Sequence, residues 1–137
     1  MPTKTAAQRR ALAKVSYDAF LAGCPSRQLL DRISDKWVAL VLAALGGSGA
    51  PRSMRYSELS RQLAGVSQKM LTQTLRSLER DGLVTRTVTP TVPVTVAYQL
   101  TDLGLSLQDV MRRIKEWAEA NMDEVLASRD EYDTRVA

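Results

Sequence analysis

The spacing of hydrophobic residues predicts three helices in the first third of the chain. Residues 5–22 are rich in alanine and contain neither glycine nor proline, which favours a helix. The larger apolar residues of this segment share one stripe, at Leu12, Val15 and Ala19. Pro25 suits a first helical turn, so a second, short helix is expected there. Residues 36–45 are apolar almost all round, as in a helix at the centre of a core, and Ser34-Asp35 offers the N-cap.

The middle of the chain predicts two shorter helices joined by a turn. A short extended piece at Met54–Tyr56 precedes a brief helix that we expect Ser57 to cap. A turn that contains glycine then leads to Ser67, a good N-cap. The helix that Ser67 opens is expected to run to about Asp81 and to end at Gly82.

Two segments rich in valine and threonine follow, and they predict a β-hairpin. They are Leu83–Val88 and Thr95–Leu100, and Pro90 and Pro93 keep the tip between them out of regular pairing. Thr101 is then expected to cap a long last helix. The apolar residues of that helix recur at helical spacing, at Leu103, Leu107, Val110, Ile114 and Trp117.

A helix-turn-helix followed at once by a two-stranded wing is an arrangement that reads DNA. The predicted fold class is therefore mainly α with a small β-hairpin wing, a winged helix-turn-helix whose N- and C-terminal helices form a dimer interface. The length fits a single domain over residues 1–137. Within it we expect an N-terminal dimerisation helix at about 5–22, a winged-helix core at 24–100, a C-terminal dimerisation helix at 101–127 and a frayed tail at 128–137.

The apolar stripe of the last helix is the basis for expecting a dimer. Four further residues extend it: Met111, Ala118, Met122 and Val125. The stripe is then wider than one small domain needs to cover, and exposed stripes of that size usually mark an interface. The alternative is that the helix folds back on the core of its own chain.

Charge and composition reduce the number of function classes that fit the chain. The net charge is +4, but the first 100 residues carry 14 Lys and Arg against 6 Asp and Glu, whereas the remainder carries 5 against 9. A basic body with an acidic tail suggests that the body meets a polyanion. The chain has no histidine, and one cysteine permits neither an intrachain disulfide nor a cysteine-rich zinc site. We therefore expect no cofactor, no metal and no enzymatic activity.

The remaining segments predict neither export nor nucleotide binding. The N-terminus is polar, and no stretch approaches the roughly 18 consecutive apolar residues of a membrane span, so a cytoplasmic protein is expected. Residues 46–51 are rich in glycine but lack the Gly-Lys-Ser/Thr of a phosphate-binding loop. We interpret them as a flexible loop that Gly46 opens as a helix C-cap.

The helix that Ser67 opens carries the candidate DNA-binding surface. Leu71, Leu75 and Leu78 share the face that packs on the core. The opposite face collects Lys69, Thr72, Gln73, Arg76 and Arg80. Glutamine can bind adenine, arginine can bind guanine, and the threonine methyl can meet the thymine methyl. The free N–H groups at the start of the helix, with Ser67 and Gln68, favour a phosphate oxygen.

This helix could also be an ordinary solvated one, because most helices with such polar faces bind nothing. Three neighbouring features favour DNA. The tight turn sets two helices at an angle. The wing contains Arg86 and has no acidic residue between Leu83 and Leu100, so it can approach phosphates. Further positive charge lies nearby in the sequence, at Lys36, Arg52 and Arg55.

Two other classes of function are weighed against DNA binding. The same surface could bind a protein partner, although protein interfaces favour central aromatic residues and this helix offers polar ones. An enzyme would have to use Cys24 or scattered carboxylates with no partner base evident. Neither class explains the polar and basic helix face as well.

Short motifs point to one family of regulators. They are Cys24-Pro25, Asp35-Lys36-Trp37, Arg55-Tyr56-Ser57-Glu58-Leu59, Val66-Ser67-Gln68-Lys69-Met70-Leu71-Thr72-Gln73, Leu78-Glu79-Arg80-Asp81-Gly82-Leu83-Val84, Tyr98-Gln99-Leu100-Thr101 and Gly104. In these motifs the chain resembles the HxlR-type family of winged-helix transcriptional regulators, relatives of the MarR regulators. The resemblance covers roughly residues 24–120, and its most specific string is Ser-Gln-Lys-Met-Leu-Thr.

The resemblance implies a homodimer that binds double-stranded DNA, with a repressor as the expected role. Recognition helices would enter successive major grooves of a pseudo-palindromic operator. The residues that it places against DNA are Ser67, Gln68, Lys69, Thr72, Gln73 and Arg76. It also implies that the wing, near Arg86 and Thr91, follows the DNA backbone.

Cys24 is a candidate redox sensor. It directly precedes Pro25, and a helix N-terminus lowers the pKa of a thiol. In several HxlR-type regulators a cysteine at the matching position senses oxidants or electrophiles, so the resemblance implies such an effector here. Without a second cysteine, a sensor would need a mixed disulfide, a sulfenic acid, an adduct or a bridge to the partner subunit. The alternatives are a small buried hydrophobe and a regulator whose small-molecule response does not involve Cys24.

Overall fold

The structure, a computed structural model, describes residues 2–47, 50 and 52–136. The order of helices and strands that the hydrophobic pattern predicts is confirmed. The elements are α1 (Ala6–Gly23), α2 (Pro25–Ile33), α3 (Lys36–Gly46), β1 (Met54–Arg55), α4 (Tyr56–Gln62), α5 (Gln68–Arg80), β2 (Val84–Thr89), β3 (Thr95–Leu100) and α6 (Asp102–Val136).

The three strands form one antiparallel sheet in the order β1-β3-β2. β2 and β3 pair along their whole length, with Val84 opposite Leu100, and they are the predicted hairpin. β1 pairs with the other edge of β3, where Met54 lies opposite Tyr98. The short extended piece of the sequence is therefore the third strand of the wing sheet.

Three predicted N-caps are confirmed. The carboxylate of Asp35 accepts a hydrogen bond from the N–H of Trp37 at 2.8 Å. The hydroxyl of Ser67 accepts from the N–H of Met70 at 3.1 Å. Thr101 caps α6 in the same way, through the N–H three residues further on, at 3.0 Å. Each cap satisfies one of the donors that a first helical turn leaves without a partner.

The prediction that Ser57 caps α4 is wrong. The helix begins at Tyr56, and Arg55 is the N-cap residue. The side chain of Glu58 accepts a hydrogen bond from the N–H of Arg55 at 3.1 Å. This bond closes the first turn two residues earlier than a cap at Ser57 would, because an acid at the third helical position can reach back to the N-cap.

Two helices end later than the sequence predicts. Gly46 is the last residue of α3, and Gly47, with φ of 65°, is the C-cap instead. The predicted fraying of 128–137 is also wrong for residues 128–136, since α6 continues to Val136, and Ala137 lies outside the described residues. No glycine or proline follows Gly104, and the tail contains many good helix formers, so its high charge does not end the helix.

The core lies between α3, α5 and the inner face of the sheet. α3 crosses its centre, as its apolar surface predicts, with Val41, Leu42 and Leu45 fully buried. The neighbouring helices contribute Leu59, Leu71, Leu75 and Leu78. The sheet contributes Met54, Val84, Tyr98 and Leu100. This core holds α5 with one face inward and the other free.

α6 begins at a close backbone contact. The hydroxyl of Thr101 donates to the carbonyl of Gly82 at 2.6 Å, and its N–H donates to the carbonyl of Leu83 at 3.1 Å. Gly104 packs on the same Leu83 carbonyl, and a Cβ at Gly104 would collide with that oxygen. The root of α6 is therefore tied directly to the junction between α5 and β2.

The terminal helices leave large apolar side chains exposed. On α1 these are Leu12, Val15, Tyr17 and Phe20. α6 rests on the core near its start, where Gly104 and Gln108 are buried and Leu107 and Met111 are half-buried. In the rest of its predicted stripe Leu103, Val110, Ile114 and Trp117 are exposed, whereas Ala118, Met122 and Val125 are half-buried. Folding back on its own core therefore accounts for only part of the stripe.

Candidate nucleic-acid interface

α5 is buried on one face and exposed on the other. Leu71, Leu75 and Leu78 are at most 2% exposed, which fixes the helix on the core. The opposite face lies at the surface, with Lys69, Gln73, Arg76 and Arg80 exposed. The structure therefore brings the predicted amide and cationic side chains into one row that a duplex can reach.

The first residues of α5 combine capping with exposure. The side chain of Ser67 is exposed, but its hydroxyl is engaged as the helix cap. The N–H groups of Gln68 and Lys69 belong to the first helical turn, where donors have no partner within the helix. This end of α5 therefore offers donors and positive dipole potential to a phosphate.

Tyr56 joins α4 to α5, and the sequence analysis did not count it among the site residues. Its hydroxyl oxygen lies 3.1 Å from the backbone carbonyl oxygen of Gln68 and 3.3 Å from Oγ1 of Thr72. Thr72, predicted to face DNA, is consequently half-buried. Helical periodicity could not show this, because the partners of Tyr56 are 12 and 16 residues away.

α5 and the wing border a polar groove of about 520 Å³. Its lining comes from α4, α5 and the sheet: Tyr56, Gln68, Thr72, Arg76, Glu79, Arg86 and Tyr98. Arg76 and Arg86 thus line one groove from two different elements. Glu79 brings an acid into it that the site prediction omitted, although its position three residues after Arg76 places the two on one side of the helix.

Three predicted DNA-binding residues lie at the surface but outside both this groove and the exposed face of α5. Lys36 is the first residue of α3, and its Nζ lies 4.9 Å from the centre of the Trp37 ring. Arg55 is exposed at the end of β1. Thr91 lies at the wing tip, where its hydroxyl donates to the carbonyl of Pro93 at 3.0 Å. These residues can reach a polyanion only beyond the edges of the groove.

A second contact holds the other end of α5. Arg32 of α2 places its Nε 2.6 Å from Oδ2 of Asp81, the C-cap of α5. The same guanidinium donates from Nη1 to the hydroxyl of Ser77 at 3.0 Å. Arg32 therefore connects α2 to α5, a role that no local sequence signal reveals. α5 is fastened by Tyr56 at its start and by Arg32 at its end.

Cys24 is the N-cap residue of α2 and is partly exposed. The neutral thiol makes no capping hydrogen bond. The backbone N–H groups of Arg27 and Ser26 favour the thiolate and lower the pKa of Cys24, while partial desolvation opposes them more weakly. An accessible thiol with a lowered pKa has the properties of a reactive cysteine.

No cluster of three or more His, Cys, Asp or Glu suited to a metal ion occurs among the described residues. No helix of the described chain is both long and apolar enough to cross a membrane. The side chains that gather at α5 and the wing are those that bind through hydrogen bonds and charge.

The fold and this surface define a winged helix-turn-helix transcriptional regulator. A family model described as HxlR-like helix-turn-helix matches residues 32–126, from the end of α2 into α6. The chain belongs to this family. Its members are transcriptional regulators and not enzymes, and they bind DNA through the helix-turn-helix.

Three relatives illustrate the match. The HTH-type transcriptional regulator YtfH of Escherichia coli (strain K12) is 42% identical over 112 residues, which cover 82% of this chain and 86% of that protein. The structure of the transcriptional regulator ytfH from Salmonella typhimurium has a TM-score of 0.69 at 40% identity, over 81% of this chain and 96% of that one. The redox regulator HypR in its reduced form has a TM-score of 0.69 at 35% identity, over 76% and 99%.

Proposed function

We propose that this protein is a homodimeric repressor that binds a pseudo-palindromic operator. In this proposal α5 of each subunit enters a major groove, and the β2–β3 wing follows the adjacent backbone. The observation that carries it is the exposed row on α5 opposite its buried leucines. Gln73 suits adenine, Arg76 suits guanine, and Lys69 suits a phosphate.

The groove between α5 and the wing supports a path for one DNA strand. Arg76 of α5 and Arg86 of β2 both line it, so a phosphate in the groove would meet positive charge from two elements. Glu79 lines the same groove, and its carboxylate would repel a phosphate placed beside it. We infer that the strand passes nearer the two arginines, with Thr91, Lys36 and Arg55 contacting the backbone further out.

Exposed apolar surface supports the dimer. Phe20 is 69% exposed on α1 and Trp117 is 59% exposed on α6 in the single chain. Burial of such a side chain against a second copy would contribute about 1.5–3 kcal/mol of stabilising free energy. A two-fold dimer would also pair two α5 helices with the two halves of a palindrome.

Operator selection tests DNA binding directly. Duplexes with a random central region are selected with the wild-type protein, and the enriched sequence is assayed by gel shift against an unrelated duplex. We expect affinity for the enriched sequence to fall steeply with salt. Arg76→Ala should weaken it by about 1–3 kcal/mol and relax specificity at one position per half-site.

Arg135→Ala is the matched control, because it removes the same charge at the far end of α6. It should leave operator affinity unchanged. Failure to enrich any sequence, or equal losses in the two variants, would contradict operator recognition by α5. Repression is tested separately with a reporter whose promoter overlaps the selected operator; higher expression in the presence of the protein would overturn that part of the proposal.

Cys24 supports a second function, the sensing of oxidants or electrophiles. Its accessibility and lowered pKa favour reaction, and the structural relative HypR is described as a redox regulator. We propose that oxidation of Cys24 changes operator affinity. Diamide should alter binding by wild type and not by Cys24→Ser. Equal responses would leave an effector that acts without Cys24 as the alternative.

A non-reducing gel identifies the oxidised product. A dimer band that requires Cys24 indicates a bridge between subunits, which needs Cα atoms about 4.4–6.8 Å apart. A monomer band whose protein has an increased mass by mass spectrometry indicates an adduct or a mixed disulfide with a small thiol.

A further inference from the structure

The contact between α4 and α5 fixes the direction of two hydroxyl groups. Oη of Tyr56 lies 3.1 Å from the carbonyl oxygen of Gln68 and 3.3 Å from Oγ1 of Thr72. A carbonyl oxygen only accepts, so the single hydroxyl proton of Tyr56 is donated to Gln68. The bond between the two hydroxyls must then be donated by Thr72 and accepted by Tyr56.

This network occupies the polar end of the Thr72 side chain. Threonine in a helix commonly donates its hydroxyl to the carbonyl four residues earlier, which here is that of Gln68. Tyr56 already occupies that carbonyl and offers its own oxygen as the acceptor. The hydroxyl proton of Thr72 is thereby used inside the protein, so the side chain has no donor to offer a ligand, and its γ-methyl is the apolar group that a ligand can meet.

We propose that Thr72 recognises a thymine through its γ-methyl and that Tyr56 is the positioning residue for this contact. The proposal rests on the proposed function, since it requires α5 to lie in the major groove. Thymine presents its 5-methyl group there, and a threonine methyl is one of the apolar groups that meet it. Thr72 lines the groove beside α5, next to Gln68 and Arg76.

The competing role for Thr72 is a hydrogen bond from its hydroxyl to a base edge. That role requires the hydroxyl to leave Tyr56, whose oxygen would lose its donor in a partly buried position. Gln73 and Arg76 already supply free donors on the same exposed face. The geometry therefore favours a division in which these two make hydrogen bonds and Thr72 reads the methyl group.

Replacing thymine by uracil removes the 5-methyl group and nothing else, so it isolates this contact. Each thymine of the selected operator is replaced singly, and affinity is measured by gel shift. For the wild type we expect one thymine per half-site at which uracil lowers affinity by about fourfold, the effect of one methyl group that is no longer buried.

Variants of Thr72 separate the methyl from the hydroxyl. Thr72→Ser keeps the hydroxyl and loses the methyl, so the preference for thymine should vanish. Thr72→Val keeps a methyl and loses the hydroxyl, so the preference should persist. Tyr56→Phe frees the hydroxyl of Thr72, and the preference for thymine over uracil should fall at least by half. Thr134→Ser, an exposed threonine on the distal part of α6, is the control and should change nothing.

The outcomes distinguish the methyl contact from the operator binding on which it rests. If an operator is selected but the wild type tolerates uracil at every thymine, the methyl contact is wrong and operator binding stands. If no operator is enriched, both are wrong. A Thr72→Val protein that behaves like Thr72→Ser would also overturn the methyl contact. Should Tyr56→Phe fail to fold by circular dichroism, the two Thr72 variants still decide whether the methyl is read.

Discussion

The winged-helix core and the two terminal helices differ in how much of their apolar surface one chain covers. From α3 to β3 most of the large apolar residues are buried, and Leu42, Leu45 and Leu71 are completely so. α1 has no buried residue among those described, and α6 leaves Val110, Ile114 and Trp117 of its stripe exposed beyond the first turns. One chain therefore buries the apolar surface of the core, whereas it leaves apolar surface on the terminal helices uncovered.

The largest expected effect is a truncation inside the core. Leu75→Ala in α5 should lower the free energy of unfolding by about 2–5 kcal/mol, because Leu75 is 2% exposed and leaves a cavity. Urea denaturation measures the change. Leu12→Ala, on the half-exposed stripe of α1, is the comparison and should cost under about 0.5 kcal/mol in a monomer. Similar losses in a monomeric background would show that α1 packs on its own chain.

A charge on the α6 stripe should separate the subunits. Trp117→Asp should weaken dimerisation by about 2 kcal/mol or more, roughly thirtyfold, because a large apolar side chain no longer enters the interface. Light scattering at several concentrations measures it, with Glu116→Gln, off the stripe, as the control. Affinity for a full operator should fall, while affinity for a half-site should not. A Trp117→Asp protein that dimerises like wild type would place the interface elsewhere.

A smaller effect is expected where α2 contacts the end of α5. The Arg32–Asp81 pair is partly open to solvent, with side chains 43% and 26% exposed, so it should contribute about 1 kcal/mol or less. A double-mutant cycle of Arg32→Ala and Asp81→Ala measures the pair itself. The single variants should lower operator affinity more than they lower stability if the pair orients α5. Equal effects on affinity and on stability would mean that the pair contributes only to the stability of the fold.

The smallest effect concerns Cys24, at the boundary between α1 and α2. Its lowered pKa means that the thiolate forms at lower pH in the folded chain than in the unfolded one. Iodoacetamide alkylation, followed against pH, should therefore have a lower midpoint for native protein than for protein in urea. A native midpoint at or above the unfolded one would remove the electrostatic support for a sensing role.

Local signals along the chain predicted most of the fold. The leucine spacing of α5, the caps at Asp35, Ser67 and Thr101 and the Val- and Thr-rich hairpin each depend on residues close in sequence. The same periodicity predicted the exposed face of α5. Predicted helix boundaries were wrong where several local signals competed, as at Ser57. They were also wrong where high charge was interpreted as a sign of fraying, as in the last turns of α6.

Contacts between distant residues could not be predicted in this way. Met54 and Tyr98 are far apart in sequence and become neighbours only when the chain has folded. The same holds for Arg32 with Asp81 and for Tyr56 with Thr72, since side chains of these types find partners only through tertiary packing. The row on α5 is exposed as its periodicity predicted, its contact with DNA stays a prediction, and the residues that hold the row in place were missed.

The contact between Gly104 and the Leu83 carbonyl lies near one end of a long helix, so a small change of angle there would move the other end far. α6 has 35 residues, roughly 52 Å at 1.5 Å per residue, and it is attached mainly at one end. A tilt of about 5° at this contact would move the far tip by about 4–5 Å, by the geometry of a rod of that length. With no room for even one methyl group at its base, the rod has little freedom to tilt. That stiffness would let a second chain, docked along the rod, hold two recognition surfaces at a repeatable separation.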